Sequence, residues 1–365
     1  MPRFSLPLRL MLAPVLVSGA LTLGACNDED CCSVPQDTVD AAIISTFADQ
    51  VVVPTYQDLA TSLTTLDSAA RALQADPSQE RLTAAKTAWF AARIPWEESE
   101  SFLFGPVDSY GFDPALDSWP VNRTDLDAVL ASNDPLTAEY VRNLQETQKG
   151  FHTVEYLLFG DGGTKQVGDF TTRQFEYLTA ITLEMKTIST SLSDAWTKGF
   201  DGRPPYRDTL ANAGQSGNTA YPSTQAAAQE MVGGIINILD EVANGKIADP
   251  YDAKDPNLVE SQFAYNSLSD FSNNLDSVLH VYRGFGDTVA TAQHSLRTLV
   301  GANSALDTRI ISELDAAQDA LARIPEPFRE SIRDPASADE IEAAQAAIRK
   351  LQTTFESEVL PLVTR

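Results

Sequence analysis

The chain has three histidines, His152, His280 and His294, so histidine-based chemistry has few places to reside. None lies in an HExxH pair of the kind that holds zinc on one helix face, and none follows a glutamate at the three-residue spacing of di-iron bundles. A nucleophile elbow and a glycine-rich phosphate loop ending in Gly-Lys are both absent. What remains is Gly150-Phe151-His152-Thr153-Val154-Glu155-Tyr156. His152 and Glu155 are three residues apart and share a face if the segment is helical. An imidazole beside a carboxylate suits iron, zinc, manganese or copper, and the glycine ahead of them lets another backbone or a ligand come close. Spacing alone is a weak signal, since a chance pair on a helix surface has the same pattern.

Two other segments carry polar groups in patterns that call for partners. Glu97 and Glu100 share a helical face, with Glu98 beside them, and Arg93 is four residues before Glu97, where it can orient or neutralise that carboxylate or hold an anionic group. In the C-terminal half, Glu260, Ser261, Asn266, Ser267 and Asp270 stand among Phe263, Leu268, Phe271 and Leu275. Polar groups on such an apolar segment must be satisfied by each other or by a ligand. His280 and His294 fit no metal spacing, and the four tryptophans read as core.

These residues need rigid elements, and the sequence supplies helices. Phe175, Leu178, Met185, Ile188 and Leu192 form an apolar stripe behind the capping box Thr171-Thr172-Arg173-Gln174. Ile341, Ala344, Ile348, Leu351 and Phe355 do the same behind Ser337-Ala338-Asp339-Glu340, and Leu306 to Ile324 form a third stripe ended by Pro325 and Pro327. Residues 38–75 read as helical with Pro54 as a kink, and Asp76-Pro77 reads as the start of the next helix. No alternating run with hairpin turns is found, so the expected fold is all-α, two packed helical bundles. A Gly- and Asp-rich stretch at 160–170 divides an N-terminal bundle, 38–165, from a C-terminal one, 166–365. Three connections, 105–121, 200–222 and 245–257, read as long and irregular.

A formal charge of -25 repels nucleic-acid backbones, so nucleic acid is not an expected partner. Residues 1–25 read as a signal peptide: Arg3 and Arg9 precede an apolar run too short to span a bilayer. Leu23-Gly24-Ala25-Cys26 is similar to a bacterial lipobox, with Cys26 as the acylated residue and 26–37 as a tether. Cys31 and Cys32 share that tether, leaving the body without a cysteine. The expected location is the cell envelope, lipid-anchored, facing the periplasm from the outer membrane.

The segment around His152 fits the GxHxxE signature of the imelysin family, and the resemblance spans about residues 38 to 363. It includes Ile94-Pro95-Trp96-Glu97-Glu98-Ser99-Glu100, Ser118-Trp119-Pro120, Gly233-Gly234-Ile235, Val259-Glu260-Ser261, Asn266-Ser267-Leu268-Ser269-Asp270-Phe271 and Tyr282-Arg283-Gly284. The resemblance implies two helical bundles with the signature at or near their interface, in envelope proteins linked to iron or haem acquisition. It favours Glu100 as a third metal ligand with His152 and Glu155, while the polar patterns above make Arg93, Glu97, Ser261, Asn266 and Asp270 candidates for further ligand contacts. The expected cargo is iron, zinc, copper or haem, with an envelope protein as a further possible partner. Two other readings stand beside it: a metal-dependent peptidase, a label the family also carries, and an interaction protein in which His152 and Glu155 form a buried network.

Overall fold

The computed structural model describes residues 39–286 and 289–364. The leader, Cys26, Cys31, Cys32 and the tether over 26–37 lie outside the described residues. Among the described residues the fold is all-α, with one isolated bridge, Phe200 to Arg203, as the only β-type pairing. No described helix is long and apolar enough to cross a membrane.

Two sets of helices make up the body. The first comprises α1 (Val53–Ala75), α2 (Gln79–Glu97), α3 (Gly150–Phe159) and α4 (Thr172–Thr197). On α1, Tyr56, Leu59, Leu63, Leu66, Ala70 and Leu73 recur every three or four residues and are fully buried, which seats α1 between α2 and α4. The second set comprises α5 (Thr224–Asp240), α6 (Ser267–Arg283), α7 (Ala305–Leu321) and α8 (Ala338–Thr354). The sets meet where α2 packs on α6 and the short turn Glu100–Phe102 packs on α5 and α6. Because α4 packs on α1, helices of the first set continue past residue 165.

Local chemistry sets the helix ends. Thr171 and Gln174 cap α4 reciprocally, each backbone N–H donating to the other's side chain at 3.2 Å. At α8 the expected box does not form. Ser337 closes a preceding turn with φ -95° and ψ 1°, and from that backbone its hydroxyl makes no cap bond. Nor does Asp76-Pro77 start α2: Ser78 is the N-cap, while Asp76 ends α1 and pairs with Arg81. Pro54 lies inside a run that stays right-handed helical from Ala41 to Ala75, and the π-helical turn Ala48–Val52 directly before it is the local distortion at the place where the proline withholds its N–H. The segments expected to be irregular contain short helices, including Phe112–Asp117, Tyr206–Ala211 and Ala248–Ala253, the last preceded by a π-helical turn, Glu241–Ile247.

Gly150 opens α3 at φ +76°, and a Cβ there would lie 2.2 Å from the Leu116 carbonyl oxygen. The close neighbour is therefore backbone, the end of the 112–117 helix, and the approach brings Asp117 beside His152. Gly150→Ala adds both a clash and a left-handed strain, and should cost about 2 kcal/mol or more of unfolding free energy in a urea titration. A loss below about 0.5 kcal/mol would show that this approach is not a fixed constraint.

Candidate functional site

The interface between the two helix sets is polar at its centre and buried. Arg93 on α2 has no exposed surface, and its guanidinium faces four carboxylates. Nε lies 3.2 Å from Asp270 Oδ1, Nη1 lies 2.5 Å from Asp117 Oδ1, and Nη2 donates to Glu97 and, at 2.9 Å, to Glu260 Oε1. Phe151 stacks beneath it, 5.0 Å from guanidinium carbon to ring centre. Lys246, on the π-helical turn, supplies the second permanent cation: Nζ lies 3.1 Å from Glu260 Oε2, 3.3 Å from Glu97 Oε2 and 4.0 Å from Glu100 Oε1.

His152 and Glu155 divide their tasks. Glu155 Oε2 lies 2.9 Å from His152 Nδ1, while Oε1 accepts the backbone N–H groups of Phe263 at 2.7 Å and Ala264 at 2.8 Å. Glu155 therefore orients the ring and ties α3 to the 259–266 turn, where Ser261 and Tyr265 hold left-handed φ values of 51° and 60°. His152 Nε2 faces Asp117 Oδ1 at 3.1 Å and Glu260 Oε1 at 3.9 Å, an ion-pair approach without hydrogen-bond alignment. Asp117 also accepts from Trp96 Nε1 at 2.6 Å.

The remaining expected contacts form one network. Ser261 Oγ donates to Asp270, Asn266 Nδ2 donates to Asp270 Oδ1 at 2.8 Å, and Asn274 Nδ2 donates to Glu97 Oε2 at 2.6 Å. Glu100 sits on the 100–102 turn, grouped with Glu97 and Asp117 rather than with His152 and Glu155. Among the described residues, three triads have donor atoms within 4.8 Å of one another: Asp117, His152 and Glu260; Glu97, Glu100 and Asp117; and Glu97, Glu260 and Asp270. Asp117 and Lys246 are absent from the sequence-based site, and Glu260 was noted there only as a polar group needing a partner. The signals for them were modest: Asp117 precedes Ser118-Trp119-Pro120, and Lys246 is a lone base next to apolar Ile247. His280 and His294 lie elsewhere, at a small cavity with Met231.

Among the described residues, five buried carboxylates, those of Glu97, Glu100, Asp117, Glu260 and Asp270, thus face two permanent cations, and a sixth, Glu155, faces His152. Burial raises Glu97 and Glu100 well above the usual carboxylate range, against the pull of Arg93 and Lys246 respectively. Burial likewise lifts Asp270 to about 6, opposed by Arg93. Asp117 goes the other way: burial would raise it, but Arg93 and then His152 hold it below its ordinary value. For His152, burial favours the neutral ring, yet Asp117 and then Glu155 outweigh it and bring the pKa up to about 10. A proton on His152 relieves part of the surplus charge. The donor set, carboxylates with one oriented imidazole, also fits a hard or borderline metal ion.

Comparisons with known proteins agree with this architecture. The family model described as Imelysin matches residues 52–355. Iron-regulated protein A of Synechococcus elongatus is 34% identical over 360 residues, covering 99% of this chain and 96% of that protein. The crystal structure of a protein designated an iron-regulated protein A precursor, from Parabacteroides distasonis, superimposes with a TM-score of 0.79 at 30% identity, covering 88% of this chain and 93% of that one. An imelysin-like protein from Psychrobacter arcticum shares the fold, with a TM-score of 0.71 at 15% identity over 89% of this chain and 97% of that one.

The raised pKa of His152 fixes the sign of a pH effect. Its stabilising contribution is complete below the unfolded pKa near 6.5 and is lost as pH rises through about 10. Without added metal, the stability difference between wild type and His152→Gln should shrink by a few kcal/mol from pH 6.5 to 10, read by urea unfolding. A difference that stays constant or grows across that window would show the imidazole to be neutral in the folded protein.

Proposed function

Because the chain belongs to the imelysin family, we propose that it is a lipid-anchored envelope protein of iron acquisition that binds a metal cation, iron foremost, between its two bundles. Cys26 would carry the anchor, placing the body on the periplasmic side of the outer membrane. His152 Nε2, Asp117 and Glu260 would hold the ion, with Glu97 and Glu100 as the adjoining carboxylates. The observation that carries this reading is the surplus of buried negative charge around an imidazole whose second nitrogen is already held by Glu155. Carboxylate-oriented histidine is the usual arrangement behind a metal ligand, and oxygen donors with one imidazole suit iron and manganese, with zinc a competitor.

Haem fits less well than a bare ion. His152 is 2% exposed, and the cavities of about 410, 420, 520 and 720 Å³ are lined by other residues. A peptidase would need an open coordination position beside a substrate cleft, and the same burial disfavours that reading.

Calorimetry and elemental analysis of the purified chain with Fe²⁺, Zn²⁺, Cu²⁺ and haem should find one tightly held metal ion per chain, weakened about a hundredfold or more in His152→Ala and in Asp117→Asn. Folded wild-type protein that binds none of them would overturn the reading and leave the interface as a structural network.

A further inference from the structure

A buried site needs a way in, and the cavities differ in whether they reach it. Those of about 420, 520 and 720 Å³ are lined by no member of the Arg93 network. The cavity of about 410 Å³ is lined by Glu100, Glu230 and Glu241, with Gly233, Gly234 and Asn237 among its other walls. Asn237 is exposed at its rim, Glu230 and Glu241 are partly buried, and Glu100 is buried. The cavity thus runs from solvent to a residue that belongs to the network.

The groups beyond Glu100 are continuous. Glu100 shares one triad with Glu97 and Asp117, and Asp117 shares another with His152 and Glu260, each within 4.8 Å. Carboxylate oxygens therefore follow one another from the cavity to His152 Nε2. Lys246, 4.0 Å from Glu100, stands beside this path. Its ammonium lies on a flexible four-carbon stem that can yield to a competing cation.

The two glycines of α5 serve the cavity differently. A Cβ on Gly234 would lie 2.0 Å from the Ser101 carbonyl oxygen, so this glycine lets α5 close onto the turn that carries Glu100. A Cβ on Gly233 would meet nothing within 4 Å. Gly233 lines the cavity, and the absence of a side chain there keeps it open. Packing does not require a glycine at 233, and a glycine inside a helix costs roughly 0.5–1 kcal/mol relative to alanine.

We propose that the cavity lined by Glu230, Glu241, Gly233 and Glu100 is the route by which a metal cation enters the interface site, an inference that rests on the cation-binding reading above. Its acidic walls concentrate cations at the mouth, Glu100 receives the ion at the floor, and Asp117 passes it to His152. Negative charge along a low-dielectric cleft raises association rates for cations, and that gain fades with ionic strength.

Trp96 and Trp119 report arrival: Trp96 donates to Asp117, and the Trp119 ring lies 6.4 Å from that of His152. The test is stopped-flow tryptophan quenching of the full chain mixed anaerobically with Fe²⁺, with bound iron measured at equilibrium. Gly233→Leu, which fills the cavity, should slow association about tenfold or more while the stoichiometry is retained. Glu241→Gln should slow it severalfold and flatten its dependence on salt. Glu139→Gln, an exposed acid away from the cavity, should leave it unchanged. Wild-type rates in Gly233→Leu would overturn the route while leaving the site intact. Should Gly233→Leu fail to fold, wild-type rate and salt dependence in Glu241→Gln would overturn it equally. If wild-type protein holds no iron at equilibrium, the cation-binding reading itself falls, and the route with it.

Discussion

The guanidinium of Arg93 meets carboxylates from four separate segments: Glu97 on its own helix, Asp117 at the end of the 112–117 helix, Glu260 on the 259–266 turn, and Asp270 on α6. A planar fork with five N–H donors can serve this many acceptors at once, and lysine's point charge cannot. Arg93 and Glu97 stand on α2 of the first helix set and Asp270 on α6 of the second, so the contact fixes the two sets against each other. Truncating such a buried ion would strand its partners, a loss on the scale of about 3–5 kcal/mol. Aromatic packing supports the charge, with Phe151 and Trp89 rings 5.0 and 5.9 Å from the guanidinium carbon.

Neutrality is not reached with Arg93 and Lys246 alone. The interface carries more carboxylates than fixed cations, and a proton on His152, held by Asp117 and Glu155, makes up part of the difference. An arrangement of this kind is poised for exchange, because a metal ion and the protons compete for the same charge. Glu155 contributes indirectly. By holding Nδ1 of His152 and two backbone amides of the opposite bundle, it fixes both the ring and the turn that presents Glu260. Glu100 has a different position, buried within the network yet lining the cavity that leads to solvent.

Much of this was legible in the chain. Apolar spacing gave the helices, Thr171 and Gln174 announced the start of α4, and the one-turn spacings of Arg93 with Glu97 and of His152 with Glu155 correspond to real contacts. Asp117 was not legible because its helix is too brief to show a period, and Lys246 because the π-helical turn that carries it shifts the helical phase beyond α5. Their importance comes from contacts with residues far along the chain. Ser337 shows the opposite failure: a sound local motif overridden by the turn that precedes it, where Asp334 has already taken the capping role. Spacing points the Glu155 carboxylate at a ligand and does not reveal that the 263–264 amides occupy its Oε1.

The central claim is that one charge deficit at this interface is shared between protons and a metal cation. It is tested most directly by counting protons as metal binds, through calorimetric titration of Fe²⁺ at pH 7 in buffers of different ionisation enthalpy. Release of about one proton or more per ion, reduced in His152→Gln, is the result the account predicts. Binding without proton release would contradict it, because it would place the ion away from the groups that hold the interface's protons.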